Sequence, residues 1–306
     1  MTGRTRTEEF QELRPLLFSI AYRILGSVSE AEDAVQETWL RYAATATVPR
    51  SARAFLSATV TRLSIDVLRS ARVRREAYVG PWFPEPLLSD PYEDPARAAE
   101  LAESVSTAAL LLLERLSPLE RAAFVLREVF DFGYAEVASA VGRSESACRQ
   151  LVVRARRHMA AGRPRFAADR AARDELAARF FDALREGDVP GLRELLAADV
   201  SMDGDGGGKA PQLARTVLGA APVARLLGAV FPRMARAAVT WERHDINGDP
   251  GAVFRDRDGK VLHTMALEIH DTRVHAIRTV VNPDKLTHLG PVADAWAVHT
   301  RVRTTP

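Results

Sequence analysis

The segment AYVGPWFPEPLLSDPYEDP, residues 77–95, constrains this chain more than any other stretch. It carries five prolines, so neither a helix nor a central strand passes through it. What folds before it and what folds after it must do so as separate elements. Yet Tyr78, Trp82, Phe83 and Tyr92 are the wrong residues for a solvated spacer, because aromatic side chains are usually buried against something. The segment reads as a linker that docks, with a solvated proline-rich connector as the alternative.

The residues ahead of the linker have helical periodicity. Phe10, Leu13, Leu17, Ile20 and Ile24 predict a helix over 8–25, with Gly26 as its stop. Ser29 and Glu32 have capping-box spacing for a second helix, EAEDAVQETWLRYAA, which ends before Pro49. A third runs from about Ser51 with Phe55, Val60, Leu63, Ile65 and Leu68 for packing, and it enters the arginine cluster RLSIDVLRSARVRRE at 62–76.

Helices resume near residue 96. Ser117-Pro118-Leu119-Glu120 supplies an N-cap, a first-turn proline and a capping-box acid, so a helix starts there and runs to about Phe130. DFGY then turns into the short helix AEVASAV, Gly142 turns again, and Ser144 caps ESACRQLVVRARRHMA. Two helices joined by a short glycine turn make a helix-turn-helix. At 100° per residue, Cys148, Leu151, Val152, Ala155 and Met159 share one face of the last helix. Ser146, Gln150, Val153 and Arg157 lie opposite, flanked by Arg149 and Arg154. Arginine suits guanine edges or phosphates, glutamine suits adenine, and a valine suits the thymine methyl.

Charge agrees with that reading in its distribution, not its sum. The formal net charge is only +2, but arginines concentrate at 62–76 and 142–165, as two contacts with one polyanion require. No apolar run approaches the ~20 residues that cross a bilayer, and MTGRTRTEEF lacks the apolar core of a signal peptide. The single cysteine, Cys148, forms no internal disulfide, which suits a reducing compartment. The expectation is a cytoplasmic protein without metal or cofactor.

Beyond Pro164 the pattern changes. RDELAARFFDALREG reads as a helix ending at Gly187, and LRELLA as a short helix after GDVPG. The segments AVTWERHDI, GAVFRD, KVLHTMALEIH and RVHAIRTVV read as strands, with Asn247-Gly248 and Asp258-Gly259 as hairpin turns. This predicts an α+β domain with an antiparallel sheet.

Between them stands SMDGDGGGKAPQ, residues 201–212. A nucleotide-binding P-loop is excluded, since Gly204 precedes Gly208-Lys209 by one residue too few and Ala210 offers no hydroxyl. A catalytic reading would need Asp203, Asp205, His244, His263 and His270 to converge, and no spacing among them specifies a pair. The third reading is that the glycines permit close approach to another segment while Asp205 and Lys209 fix its register.

Residues 30–43 and 53–70, with 116–159, closely resemble regions 2 and 4 of extracytoplasmic-function RNA polymerase sigma factors. FFDALREGDVPGLRELLAADVSMDGDGGGKA resembles the SnoaL-like domain, a cone of sheet and helices in the nuclear-transport-factor architecture. One group of these sigma factors carries that extension with WLPEP, DGGGK and NPDKL motifs. This chain has WFPEP at 82–86, DGGGK at 205–209 and NPDKL at 282–286.

The resemblance divides the chain into region 2 (1–76), the linker (77–95), region 4 (96–165), a SnoaL-like regulatory domain (166–290) and a tail (291–306). It implies that Asp33, Gln36, Glu37 and Trp39 contact core RNA polymerase at the clamp helices of its largest subunit. It places Arg62, Asp66, Arg69, Arg72, Arg74 and Arg75 where region 2 melts the minus-10 promoter element. Arg143, Ser144, Ser146, Arg149, Gln150, Val153, Arg154 and Arg157 would read the minus-35 element. Such factors often have polar or basic residues where this chain has Leu151 and Val153. An in-cis regulatory contact would join Trp82, Pro84, Glu85 and Pro86 with Asp205, Gly206, Gly207, Gly208 and Lys209, and with Asn282, Pro283, Asp284, Lys285 and Leu286. The implied activity is transcription initiation without covalent chemistry. A small-molecule ligand in the sheet's concavity is left open. The alternative is a polymerase-independent helix-turn-helix regulator with a small-molecule-sensing C-terminal domain.

Overall fold

Local capping residues define the helical half. α1 (Arg6–Leu25) starts at Thr5, whose hydroxyl accepts from the Glu8 amide while the Glu8 carboxylate accepts from the Thr5 amide. It ends on Gly26 at φ 69°, the left-handed position that glycine adopts without a Cβ clash. α2 (Val28–Ala44) begins earlier than the Ser29–Glu32 box predicts. Ser27, itself extended and directly after Gly26, caps first, accepting from the Glu30 amide at 3.1 Å, with Ser29 bonded to its hydroxyl at 3.0 Å. α3 (Ala52–Glu76) follows, and Leu17, Ile20, Ile24, Leu56 and Val60 are wholly buried in the bundle.

The protein's structure, a computed structural model, describes residues 5–76, 78–160 and 170–304. They form two units, 1–77 with 90–163 and 78–89 with 164–306. The proline-rich linker is therefore divided, and Tyr92 packs edge-on to Phe130 in the helical unit. That unit continues with α4 (Ala98–Val105), α5 (Thr107–Leu113) and α6 (Pro118–Phe124), which opens on the expected Ser117–Glu120 capping box. A π turn at Val125–Val129 carries the helix on to Phe130, whose amide reaches back to the Val125 carbonyl at 3.2 Å. α7 (Tyr134–Val141), Gly142 at φ 66° and α8 (Glu145–Ala160) complete the helix-turn-helix.

In the second unit, α9 (Arg170–Glu186) ends at Gly187, φ 70°. α10 (Val189–Leu195) starts ahead of LRELLA, because Asp188 caps it through the Gly191 amide at 3.0 Å and Pro190 suits its first turn. Leu196 and Ala197 instead open β1 (Leu196–Asp205), followed by β2 (Val217–Leu218) and α11 (Ala220–Arg236). β3 (Thr240–Ile246), β4 (Asp249–Arg255), β5 (Val261–His270) and β6 (Arg273–Val280) form the predicted meander. Asn247 (φ 55°) and Gly248 (φ 70°) make its first turn.

The sheet order is β2-β1-β6-β5-β4-β3. It is mixed, not wholly antiparallel as expected, because β1 pairs parallel to β6, Asp205 opposite Val280. Helices cover one face, where Phe180, Phe181, Leu227, Phe231, Phe254, Met265 and Ile277 form the core. The stretch expected as a tail includes α12 (Ala295–Thr304), whose Val298 and Val302 join that core. No described helix is long and apolar enough to cross a membrane.

Candidate nucleic-acid interface and the docked linker

α8 presents two faces, as its sequence predicts. Cys148, Leu151, Val152, Ala155 and Met159 are buried; Ser146, Arg149, Gln150, Val153, Arg154 and Arg157 are exposed. Ser144 caps the helix through the Ala147 amide at 3.2 Å, beside exposed Arg143. Arg149, Gln150, Val153 and Arg154 line a shallow groove of about 300 Å³. Two of its walls are braced. Arg149 stacks on Tyr134 at 4.9 Å and pairs with Glu145 at 3.1 Å, while Arg154 donates to Glu120 at 2.7 Å. Burial pushes the Glu120 carboxyl up, but Arg154 and Ser117 outweigh it and hold the group below its ordinary range. A base edge entering this groove would meet guanidinium groups already positioned, with less entropy left to lose.

Arg62, Asp66 and Arg69 lie on the exposed side of α3. Asp66 and Arg69 pair at 3.3 Å, whereas Arg62 donates to the Ser139 carbonyl at 2.5 Å and the Ala140 carbonyl at 3.3 Å, the C-terminal end of α7. A cation there also complements the helix dipole. The side chains of Arg72, Arg74 and Arg75 lie outside the described residues. On α2, Asp33, Gln36, Glu37 and Leu40 fall at i, i+3, i+4 and i+7, the last an exposed leucine. Trp39, half-buried beside them, packs on Phe10, ring centroids 5.0 Å apart.

The third cluster is the linker itself, a strap on the C-terminal unit. Asp205, wholly buried at the end of β1, accepts from the Tyr78 hydroxyl at 2.5 Å, the Phe83 amide at 2.8 Å and Lys285 Nζ at 2.7 Å. Lys285 also donates to the Phe83 carbonyl at 2.5 Å, and its ammonium lies 4.3 Å from the Trp82 ring centre and 4.9 Å from that of Tyr78. Burial and then the Asp205 carboxylate push the Tyr78 phenol well above its ordinary range. Asn282 donates to the Tyr78 oxygen at 2.8 Å. Asn247 takes both polar groups of Leu87, its amide donating to the Leu87 carbonyl at 2.7 Å and its Oδ1 accepting from the Leu87 amide at 3.3 Å. His288 Nε2 reaches the Pro86 carbonyl at 2.6 Å.

The glycines permit this closeness. A Cβ on Gly206 would fall 2.7 Å from the Ala210 carbonyl oxygen, one on Gly207 (φ 57°) 2.8 Å from the Tyr78 hydroxyl, and one on Gly208 (φ 72°) 3.3 Å from Val79. Lys209 pairs with Asp284 on the surface, and the Trp296 indole donates to the Lys209 carbonyl at 3.0 Å. Pro84, Glu85, Pro86 and Leu286 are buried, and Pro283 lies in a short 3₁₀ turn capped by Asn282.

Residues 10–74 match the family described as Sigma-70 region 2, and residues 106–159 the one described as Sigma-70, region 4. The ECF RNA polymerase sigma factor SigJ of Mycobacterium tuberculosis is 39% identical over 288 residues, covering 91% of this chain and 92% of its own length. The chain belongs to the extracytoplasmic-function sigma factors. A probable ECF sigma factor of the same organism, SigI, is 30% identical over 279 residues, covering 90% of this chain and 93% of its own. The crystal structure of M. tuberculosis SigJ matches with a TM-score of 0.71 at 36% identity, over 92% of this chain and 98% of that one. Two helical sigma regions followed by an α+β SnoaL-like domain are thus the fold of this sigma factor, and regions 2 and 4 support promoter recognition and transcription initiation.

The five groups weighed as catalytic in this sigma factor do not converge. Asp205 belongs to the strap, Asp203 bonds Thr216, His244 stands 3.6 Å from Glu242, and His270 bonds Glu268 at 3.1 Å. His263 is buried and stacks on Phe254 at 4.2 Å. Among the described residues, no three His, Cys, Asp or Glu side chains stand close enough to hold a metal ion. Sequence reasoning did not single out exposed Leu40, nor the strap partners Asn247 and His288, and it placed Tyr78 among the docking aromatics without a partner. An exposed leucine beside acidic residues was the available signal for the first. The other three meet partners far away in the chain, Tyr78 the Asp205 carboxylate and Asn247 and His288 the backbone of Leu87 and Pro86, which no local pattern encodes.

His263 makes a measurable prediction. Burial depresses its pKa to about 3, from 6.5. Below pH 6.5 the unfolded chain therefore binds a proton that the folded one refuses, so stability falls as pH falls. The loss is about 2 kcal/mol by pH 5. Urea unfolding of wild type and His263→Phe between pH 7.5 and 5 should diverge by that amount; parallel curves would refute it.

Proposed function

We propose that this chain binds core RNA polymerase through the exposed face of α2, places α8 in the major groove of the minus-35 element, and opens the minus-10 element with the basic end of α3. The observation that carries the reading is α8: a capped helix with a dry face fixed in its own domain and an arginine-glutamine-valine groove turned outward. Asp33, Gln36, Glu37 and Leu40 supply a mixed polar and apolar stripe for a helical partner. A polymerase subunit of this kind works in the cytoplasm and does no covalent chemistry.

The contact of Arg62 with α7 adds a step. By their names the two elements stand about 25 base pairs apart, roughly 85 Å of B-DNA at ~3.4 Å per pair. Helices bound together cannot read both, so promoter engagement requires the α3–α7 contact to open and frees Arg62 for phosphates. The strap would regulate that step in cis, since residues 78–89 join region 2 to region 4 and are held by the C-terminal domain.

In vitro transcription with core polymerase and a pool of promoter fragments tests this. Arg149→Ala and Gln150→Ala should each cut promoter-specific transcripts about 5- to 150-fold, the worth of one bidentate base contact. Binding to core polymerase should be unchanged, while Leu40→Ala should weaken it. If the chain binds duplex DNA but initiates nothing with core polymerase, it is instead a polymerase-independent regulator.

A further inference from the structure

The strap is held as a receptor holds a peptide. The apolar core of the C-terminal unit, from Leu176 to Val302, closes without any residue from 78–89. Tyr78 is held by its hydroxyl, but from Phe83 to Leu87 the hydrogen bonds are directed at the backbone: the amide and carbonyl of Phe83, the carbonyl of Pro86, and the amide and carbonyl of Leu87. The partners are Asp205, Asn247, and the neighbouring pair Lys285 and His288, supplied by three different places in the chain. Such contacts accept an extended main chain whatever covalent linkage it has.

Specificity comes from side chains at chosen positions. Trp82 lies against the Lys285 ammonium, Phe83 is buried under Arg278 at 5.9 Å, and Leu87 is buried. Pro84 and Pro86 stand where no amide donor is used. Their fixed φ keeps the segment extended before it binds, which lowers the ordering cost, as in other proline-peptide grooves.

We propose that the groove bounded by Asp205, Asn247, Lys285 and His288 is a receptor for extended Trp-Phe-Pro-Glu-Pro peptides, and that residues 78–88 are its tethered occupant, exchangeable for the same sequence supplied in trans. The proposal does not rest on the promoter reading. Tethering gives the strap an effective concentration on the order of millimolar, so a free peptide competes poorly with the intact chain and well with a weakened strap.

The test uses the full chain carrying Trp82→Ala and Phe83→Ala, and a fluorescein-labelled peptide of residues 77–89. Fluorescence anisotropy should show saturable binding to this variant, at least tenfold tighter than to wild type. Carrying the same two substitutions into the peptide, or adding His288→Ala to the chain, should weaken binding tenfold or more. The proposal is overturned if the folded variant binds nothing up to about 1 mM peptide, or binds a scrambled peptide equally. It is also overturned if this variant and the milder Trp82→Ala chain both lose cooperative melting, because the strap then belongs to the fold.

Discussion

Chymotrypsin should cut Lys285→Met at Tyr78 and Trp82 at least a hundredfold faster than wild type, with little change in the melting temperature of the C-terminal unit. Removing one partner of a buried ion pair leaves the other charged and dry, at a cost of about 3–5 kcal/mol. Here the survivor is Asp205, wholly buried beneath the strap. It keeps the Tyr78 hydroxyl and the Phe83 amide, both of them strap donors, so it regains water as soon as the strap lifts. The lost free energy therefore appears as strap opening, and native-state cleavage follows the open population. Asp205→Asn together with Lys285→Met removes both charges and should restore most of the protection. Less than a tenfold change in cleavage for Lys285→Met would mean that the pair does not hold the strap.

How far the sequence reveals this depends on the distance over which each signal acts. α8 is legible residue by residue because its cap, its period and its turn all lie within ~20 residues, and the five buried positions are the five on its apolar face. The shift from Ser29 to Ser27 is small and local: Gly26 ends one helix so abruptly that the next residue is already free to cap. β1 is different. LAADVSMDGD has no clean alternation, and Asp203-Gly204-Asp205 reads as a turn. It is a strand because β6 offers a parallel edge about 75 residues later, through pairs such as Met202 with Ile277. Asp205 is buried because Lys285, 80 positions away, neutralises it. α11 is masked by Pro222 and Pro232, which break the helical pattern in sequence but fit its first turn and its half-buried side in the fold. The motifs DGGGK, NPDKL and WFPEP are visible as strings; that they hold one main chain among them is a property of the folded sheet.

The other large effect belongs to the helical unit. Arg23→Met should lower its unfolding free energy by about 3–5 kcal/mol, far beyond what an exposed pair such as Arg14–Glu32 contributes, which is under ~1 kcal/mol. Arg23 is wholly buried on α1, and every face of its guanidinium is used. It donates to the Ser19 hydroxyl, to Asp90 at 2.7 Å, to Ser104 Oγ at 2.8 Å and to the Leu101 carbonyl at 2.9 Å, and it lies 5.3 Å from the Phe130 ring centre. Asp90 is the first residue of the helical unit after the strap, so this one side chain fastens the returning chain to region 2 and to α4. Lysine cannot replace it, because a single ammonium has three donors at one point and cannot span acceptors on three segments. Urea unfolding followed by helical circular dichroism should place Arg23→Lys near Arg23→Met; a lysine variant within about 1 kcal/mol of wild type would show that charge alone, and not the forked geometry, holds the three segments together.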